Sequence, residues 1–200
     1  MNRQTSSLTS VGLFCGSSLG VDPAWAAAAA AFGQTLAAAG VRLVYGGGGV
    51  GLMGACARAA AGAGGRVLGV IPEFLSTREA AFEDPELVVV ASMHERKALM
   101  FKEADGFVVM PGGIGTLEEA VELLSWSRLG LHAKPMVFLG KGDFWRPLFE
   151  LFDHTVRQGF TPPAFLETYA AVEEIEQILP TLHALLSESD ERPAMPLTIT

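Results

Sequence analysis

Four times along this chain, an apolar run of strand length ends in a small-residue or polar turn and gives way to a helical pattern. The turns are Gly16-Ser17-Ser18, Gly46 to Gly49, Ser92 to Lys97 and Gly112 to Thr116. A strand that hands over to a helix does not pair with its successor as a tight hairpin. It needs a crossover, and right-handed crossovers build a parallel sheet with helices on both faces. In such sheets ligands sit outside the carboxyl ends of the strands, where these turns lie.

The alternation predicts one α/β, Rossmann-like domain with a mostly parallel sheet, spanning residues 10–186. Strands are expected at 11–15, 41–45, 66–71, 87–91, 105–110 and 135–139, with a short edge strand at 169–172. Asp22-Pro23 reads as a helix cap followed by a proline at the first helical position, and Gly40 as its stop. Further helices are expected at 51–63, 93–104, from Thr116 to 129, at 144–158 and at 173–186, the last broken or kinked at Pro180. Residues 73–85 read as a loop with a partial helix. Residues 1–9 and 187–200 read as flexible tails.

A chain of 200 residues with 50% apolar content fits one domain with a sizeable core. Its net charge of −8 argues against a nucleic-acid polymer or an anionic membrane as partner. A small anion stays compatible, because a local cluster can be positive on an acidic protein. Cys15 and Cys56 lie among small apolar residues and offer neither a disulfide framework nor metal spacing. The uncharged stretch from Pro23 to Val41 is mostly alanine, which suits a crossover helix packed on a sheet better than a membrane span. No signal-peptide pattern opens the sequence, so a cytoplasmic protein is expected.

Three clusters offer chemistry. Gly49-Val50-Gly51-Leu52-Met53-Gly54 matches a dinucleotide-binding turn, with Glu73 where the ribose acid would stand; close helix–sheet packing explains the same glycines. In His94-Glu95-Arg96-Lys97 two cations appear in the first turn of a helix, where the macrodipole disfavours them. An anion held there would remove the conflict; two solvated side chains are the plain alternative. Ser92 and Glu95 have capping-box spacing, as do Thr116 and Glu119. For Glu119 the pattern leaves capping and catalysis equally open.

Pro-Gly-Gly-Ile-Gly-Thr-Leu-Glu-Glu at 111–119, together with Met-His-Glu-Arg-Lys at 93–97, resembles the Lonely Guy (LOG) family. The resemblance takes in Phe-Cys-Gly-Ser-Ser at 14–18, the glycine run of 45–54 and Leu-Gly-Leu-His-Ala-Lys-Pro at 129–135. It departs at Gly49, where a serine is common. The family consists of cytokinin riboside 5′-monophosphate phosphoribohydrolases, many of which also hydrolyse AMP. The resemblance implies catalytic roles for Arg96 and Glu119. It implies substrate contacts at Glu79, Arg96, Lys97, Gly112, Gly113, Ile114, Gly115, Thr116, Leu117, Glu118, Glu119 and Ser125. It further implies a nucleoside 5′-monophosphate as small-molecule substrate, no metal or organic cofactor, and a homodimer, with the apolar stretch from Leu123 to Leu131 as part of the contact. A nicotinamide-dependent oxidoreductase and a non-catalytic nucleotide or cofactor carrier are the other classes this fold accommodates.

Overall fold

The computed structural model describes residues 8–76, 86–140 and 143–191. Among them, seven strands form one parallel sheet: β1 (Ser10–Phe14), β2 (Arg42–Tyr45), β3 (Val67–Pro72), β4 (Glu86–Val90), β5 (Gly106–Val109), β6 (Met136–Leu139) and β7 (Ala170–Val172). The spatial order is β4-β3-β2-β1-β5-β6-β7. All six neighbouring pairs run parallel. The chain winds outward from β1 in one direction, then returns to β1's other side with β5. That reversal places a crevice between the ends of β1 and β5.

The crossovers are α1 (Ala24–Ala38), α2 (Gly51–Gly62), the short α3 (Glu73–Ser76), α4 (Met93–Glu103), α5 (Ile114–Arg128), α6 (Arg146–Arg157) and the closing α7 (Ile175–Glu191). Two apolar layers flank the sheet. One packs Phe32 and Leu36 of α1, Cys56 and Ala60 of α2, and Ile178 and Leu182 of α7 against Leu43 and Val108. The other packs Met100 of α4, Leu123 and Leu124 of α5, and Phe152 of α6 against Phe107 and Phe138. Central strands are buried on both faces, which explains their unbroken apolar runs.

Local signals were followed closely at most boundaries. Asp22 Oδ1 accepts from Ala24 N at 2.8 Å. Gly40 and Gly159 take φ of 68° and 79° after α1 and α6, where a side chain would be strained. Two expectations are corrected. Of the break or kink expected at Pro180, the break is absent: α7 continues through it. The proline removes one backbone donor, but Ile178, Leu182 and Leu186 lie four residues apart and are all buried, so packing of that stripe holds the helix together. And α5 starts at Ile114 rather than Thr116.

At the ends, Leu8 is buried and Thr9 N donates to Asp105 Oδ2 at 2.8 Å, while α7 runs beyond Leu186. Leu123 and Leu124, expected in a subunit contact, instead point into the core. Among the described residues no helix is long and apolar enough to cross a membrane.

Candidate active site

Arg96 is the most confined cation of the site. It sits one turn into α4, whose start is fixed by the expected box: Ser92 Oγ accepts from Glu95 N, and Glu95 Oε2 accepts from Ala91 N, both at 3.1 Å. From there its side chain reaches over the ends of β2 and β3. Nε donates to Val70 O and Nη2 to Gly46 O, each at 3.2 Å. Nη1 lies 3.4 Å from Glu119 Oε1 and 3.9 Å from Met93 Sδ. Only 6% of Arg96 and 8% of Glu119 is exposed.

Gly46 makes this seat possible. A Cβ there would stand 1.8 Å from Arg96 Nη2. The glycine run after β2 is thus a slot for a guanidinium, a use that the sequence pattern did not reveal. A buried ion pair is weak evidence for stability, because desolvation offsets its attraction. Placed at the carboxyl edge of a parallel sheet, it points to function.

Glu119 does not cap α5. The N-cap is Gly113, which has no side chain to cap with. The first helical bond runs from Leu117 N to Gly113 O at 3.1 Å. Thr116 is therefore the third helical residue, and Glu119 lies in the second turn, beyond reach of the free N–H groups. Of the two readings left open by the pattern, capping is removed. The N–H groups of Ile114, Gly115 and Thr116 precede that first bond and face the carboxyl edge of the sheet, where a helix start favours an anion.

Lys97 corrects the argument from uncompensated charge. Arg96 and Lys97 are the fourth and fifth residues after Ser92, past the first turn. Lys97 Nζ bonds Glu118 Oε1 and lies 2.9 Å from Glu122 Oε2, both on α5. Burial alone would lower its pKa, but hydrogen bonds to the two carboxylates and their charge outweigh it and hold the ammonium above its ordinary value.

The remaining predicted residues are partly gathered. Gly113, Ile114 and Gly115 are exposed at the start of α5, Thr116 is buried, Leu117 half-buried and Glu118 exposed. A Cβ on Gly112 would meet Thr116 Oγ1 at 2.1 Å, so that glycine lets the loop fold over the helix. Ser125 is exposed and shares the helix stripe of Glu118 and Glu122, seven and three residues away, so it faces away from Glu119. Glu79 lies outside the described residues.

A pocket of about 260 Å³ adjoins the loop, lined by Gly16 to Gly20, Leu52, Pro111 to Gly113 and Phe144. None of Leu19, Leu52 and Phe144 was a candidate site residue from the sequence; an apolar side chain gives no local signal of lining a crevice. The loops are tied together: Gly16 N donates to Pro111 O, and Leu52 N to Gly16 O, both at 3.0 Å. Gly51 takes φ of 61° and its Cβ would fall 2.3 Å from Ser17 C, while one on Gly54 would fall 2.1 Å from Gly49 O. Close backbone packing within the chain thus accounts for these two glycines of the dinucleotide-like turn. Cys15 and Cys56 are buried free thiols. Burial pushes both pKa values up, Cys56 to about 12.

Fold and site together define a doubly wound α/β protein with a buried arginine–glutamate pair at its carboxyl edge. The family described as possible lysine decarboxylase matches residues 53–182. A cytokinin riboside 5′-monophosphate phosphoribohydrolase of Rhodococcoides fascians is 46% identical over 169 residues, covering 84% of this chain and 85% of that protein. One of Arabidopsis thaliana with the same activity in its name is 38% identical, covering 96% of this chain and 88% of that protein. The chain belongs to this family, the Lonely Guy family.

Among solved structures, the molybdenum cofactor carrier protein of Chlamydomonas reinhardtii superposes with a TM-score of 0.67 at 20% identity, over 90% of this chain and 99% of that one. The molybdenum cofactor binding protein of Rippkaea orientalis gives 0.66 at 21%, over 90% and 98%. These two likenesses show the fold alone.

Proposed function

We propose that this protein hydrolyses the N-glycosidic bond of adenosine 5′-monophosphate, plain or prenylated on its base, releasing the free base and ribose 5-phosphate. The observation that carries the reading is the buried Arg96–Glu119 pair, with the nitrogen and oxygen 3.4 Å apart, in a chain whose relatives are named for this reaction.

Cleavage of the C1′–N bond leaves its electron pair on the base and positive charge on the ribose. Glu119, kept from solvent, stabilises that charge and takes a proton from the attacking water, whose oxygen bonds to C1′. The departing base ends with the proton that Glu119 took, passed on directly or through solvent, which restores the carboxylate. Arg96 has two donors committed to backbone carbonyls, so its orientation is set before substrate arrives. Its role in this reading is to hold Glu119 in place and to direct its remaining N–H groups toward the leaving base.

The 5′-phosphate is assigned to the turn Gly112 to Thr116, where backbone donors and the helix start favour an anion. Lys97 contributes only by exchanging a carboxylate partner, because Glu118 and Glu122 already hold it. The family resemblance further implies contacts at Glu79 and at Ser125, the latter on the α5 stripe of Glu118 and Glu122 rather than beside Glu119. The reading includes a cytoplasmic homodimer. Val121, Leu129 and Leu131 are exposed on and just after α5 and supply apolar area for its contact. Light scattering at micromolar concentration should give twice the chain mass; a monomer there would remove the dimer.

The deciding experiment incubates the protein with a panel of nucleoside 5′-monophosphates and measures free base. AMP should outperform adenosine in kcat/KM by about 10² or more, because hydrogen bonds to a charged group contribute roughly 1.5–3 kcal/mol each. Equal values for the two would overturn the phosphate assignment.

A further inference from the structure

The segment Leu129-Gly130-Leu131-His132-Ala133-Lys134-Pro135 joins α5 to β6 and carries none of the catalytic or substrate-binding residues assigned above. Its two titratable side chains are half-buried behind the site. Lys134 Nζ donates to Phe101 O at 2.5 Å and Ala104 O at 2.7 Å, closing the last turn of α4. It also lies 4.2 Å from the centre of the Phe101 ring. Lys134 N donates to His132 Nδ1 at 3.1 Å. With Nδ1 used as an acceptor, the neutral ring carries its proton on Nε2, which lies 3.0 Å from Leu123 O in α5. The His132 ring packs 5.1 Å from Phe101, and Phe101 meets Trp126 of α5 at 5.5 Å.

One bonded chain therefore runs from a carbonyl of α5 through His132 and Lys134 to the end of α4. These are the two helices that carry Glu119 and Arg96. Their reactive atoms are 3.4 Å apart, beyond the usual length of a charged hydrogen bond, so a small change in helix separation decides how well they engage. Lys97, with Glu118 and Glu122, ties the same helices near the site.

We propose that His132 and Lys134 are positioning residues that brace α4 against α5, set the Arg96–Glu119 distance, and hold it only while His132 is neutral. The inference rests on the hydrolase reading for its kinetic consequence. A second proton on His132 would occupy Nδ1 and set it against the Lys134 N–H. Burial lowers the His132 pKa; the bond to Leu123 opposes this, and the Lys134 charge adds to the lowering. Lys134 is the charged group set against the ring. Glu103, ending α4, and Asp105, in the turn to β5, act on Lys134 in turn. From α5 the ring meets the Leu123 carbonyl. Because the folded pKa is depressed, the brace is complete above the ordinary histidine value of about 6.5 and is lost as pH falls through the folded value.

The test uses Lys134→Met, Lys134→Arg and His132→Gln. Lys134→Met should lower kcat about tenfold with KM nearly unchanged, the scale expected for a small misplacement of reacting groups. Lys134→Arg, which still donates to carbonyls, should restore most of it. His132→Gln keeps a donor for Leu123 O but cannot titrate, so the histidine's inflection in kcat should vanish, leaving only the acid limb that protonation of Glu119 sets. A Lys134→Met protein with a lower Tm but the parent kcat, or a His132→Gln protein that keeps the inflection, would overturn the proposal. A readout independent of turnover is the Arg96 Nε–H resonance in nitrogen-15-labelled protein. It should move on acidification in the parent and stay still in His132→Gln; a resonance unmoved in the parent overturns the brace. If the parent releases no base from any nucleotide, the hydrolase reading fails, and this resonance alone decides the brace.

Discussion

The two edges of the sheet use the same kinds of side chain to different ends. At the amino edge, Asp105 Oδ2 accepts from the N–H and hydroxyl of both Thr9 and Ser10, at 2.8–2.9 Å. Burial would raise the Asp105 pKa, but these bonds outweigh it and hold the carboxyl below its usual range. Nearby, Arg42 Nη2 pairs with Glu103 Oε2 at 2.6 Å. These groups are only partly buried and tie neighbouring segments of the chain together. At the carboxyl edge, Arg96 and Glu119 are enclosed, seated by a glycine that leaves room for the guanidinium. The contrast teaches that an ion pair is defined by its surroundings. One edge spends its charges on joining strands, while the other keeps a carboxylate oriented beside a crevice.

The sharpest way to break this comparison is Glu119→Gln. It preserves shape and removes charge, so kcat for base release should fall by about 10²–10⁴ while the protein still folds, at a lower Tm because Arg96 loses its buried counter-charge. A variant that folds normally and turns over at the parent rate would refute the site. Arg96→Ala is a blunter probe. It takes the arginine from a buried carboxylate and abandons two carbonyl bonds, a loss on the order of 3–5 kcal/mol in stability. A change at Arg96 therefore lowers stability as well as turnover, and kcat and Tm should fall together.

A smaller effect is expected from Gly46→Ala. The added methyl displaces the guanidinium from its seat, and kcat should fall about 10- to 100-fold as the pair misaligns. Unchanged kinetics would show that the seat does not matter to turnover. The smallest effect on chemistry belongs to the amino edge. Asp105→Ala should cost about 1.5–3 kcal/mol in denaturant unfolding and leave kcat unaltered. Its pH signature has a definite sign: the folded pKa is depressed, so this stability is present above the ordinary carboxylate pKa and is lost as pH falls through the folded value. A loss of turnover in folded Asp105→Ala would erase the division between the edges.

What the sequence determined by itself was short-range. Strand–turn–helix alternation sufficed for a parallel sheet with its loops on one edge, and Ser92 with Glu95 sufficed for the start of α4. The family motifs brought Arg96 and Glu119 forward as a pair, yet did not say how they meet. Tertiary structure decided the rest. Thr116-x-x-Glu119 has the spacing of a cap, but the preceding glycines let α5 begin earlier and turn Glu119 inward. Lys97 looked uncompensated because its partners, Glu118 and Glu122, are 21 and 25 residues away and on another helix. Pro180 looked like a break because the pattern could not weigh its lost bond against the packing of Ile178, Leu182 and Leu186. Periodicity and capping depend on residues a few positions apart and are written in the chain. The partners of a buried charge are set by how helices stack on a sheet, which no local spacing encodes.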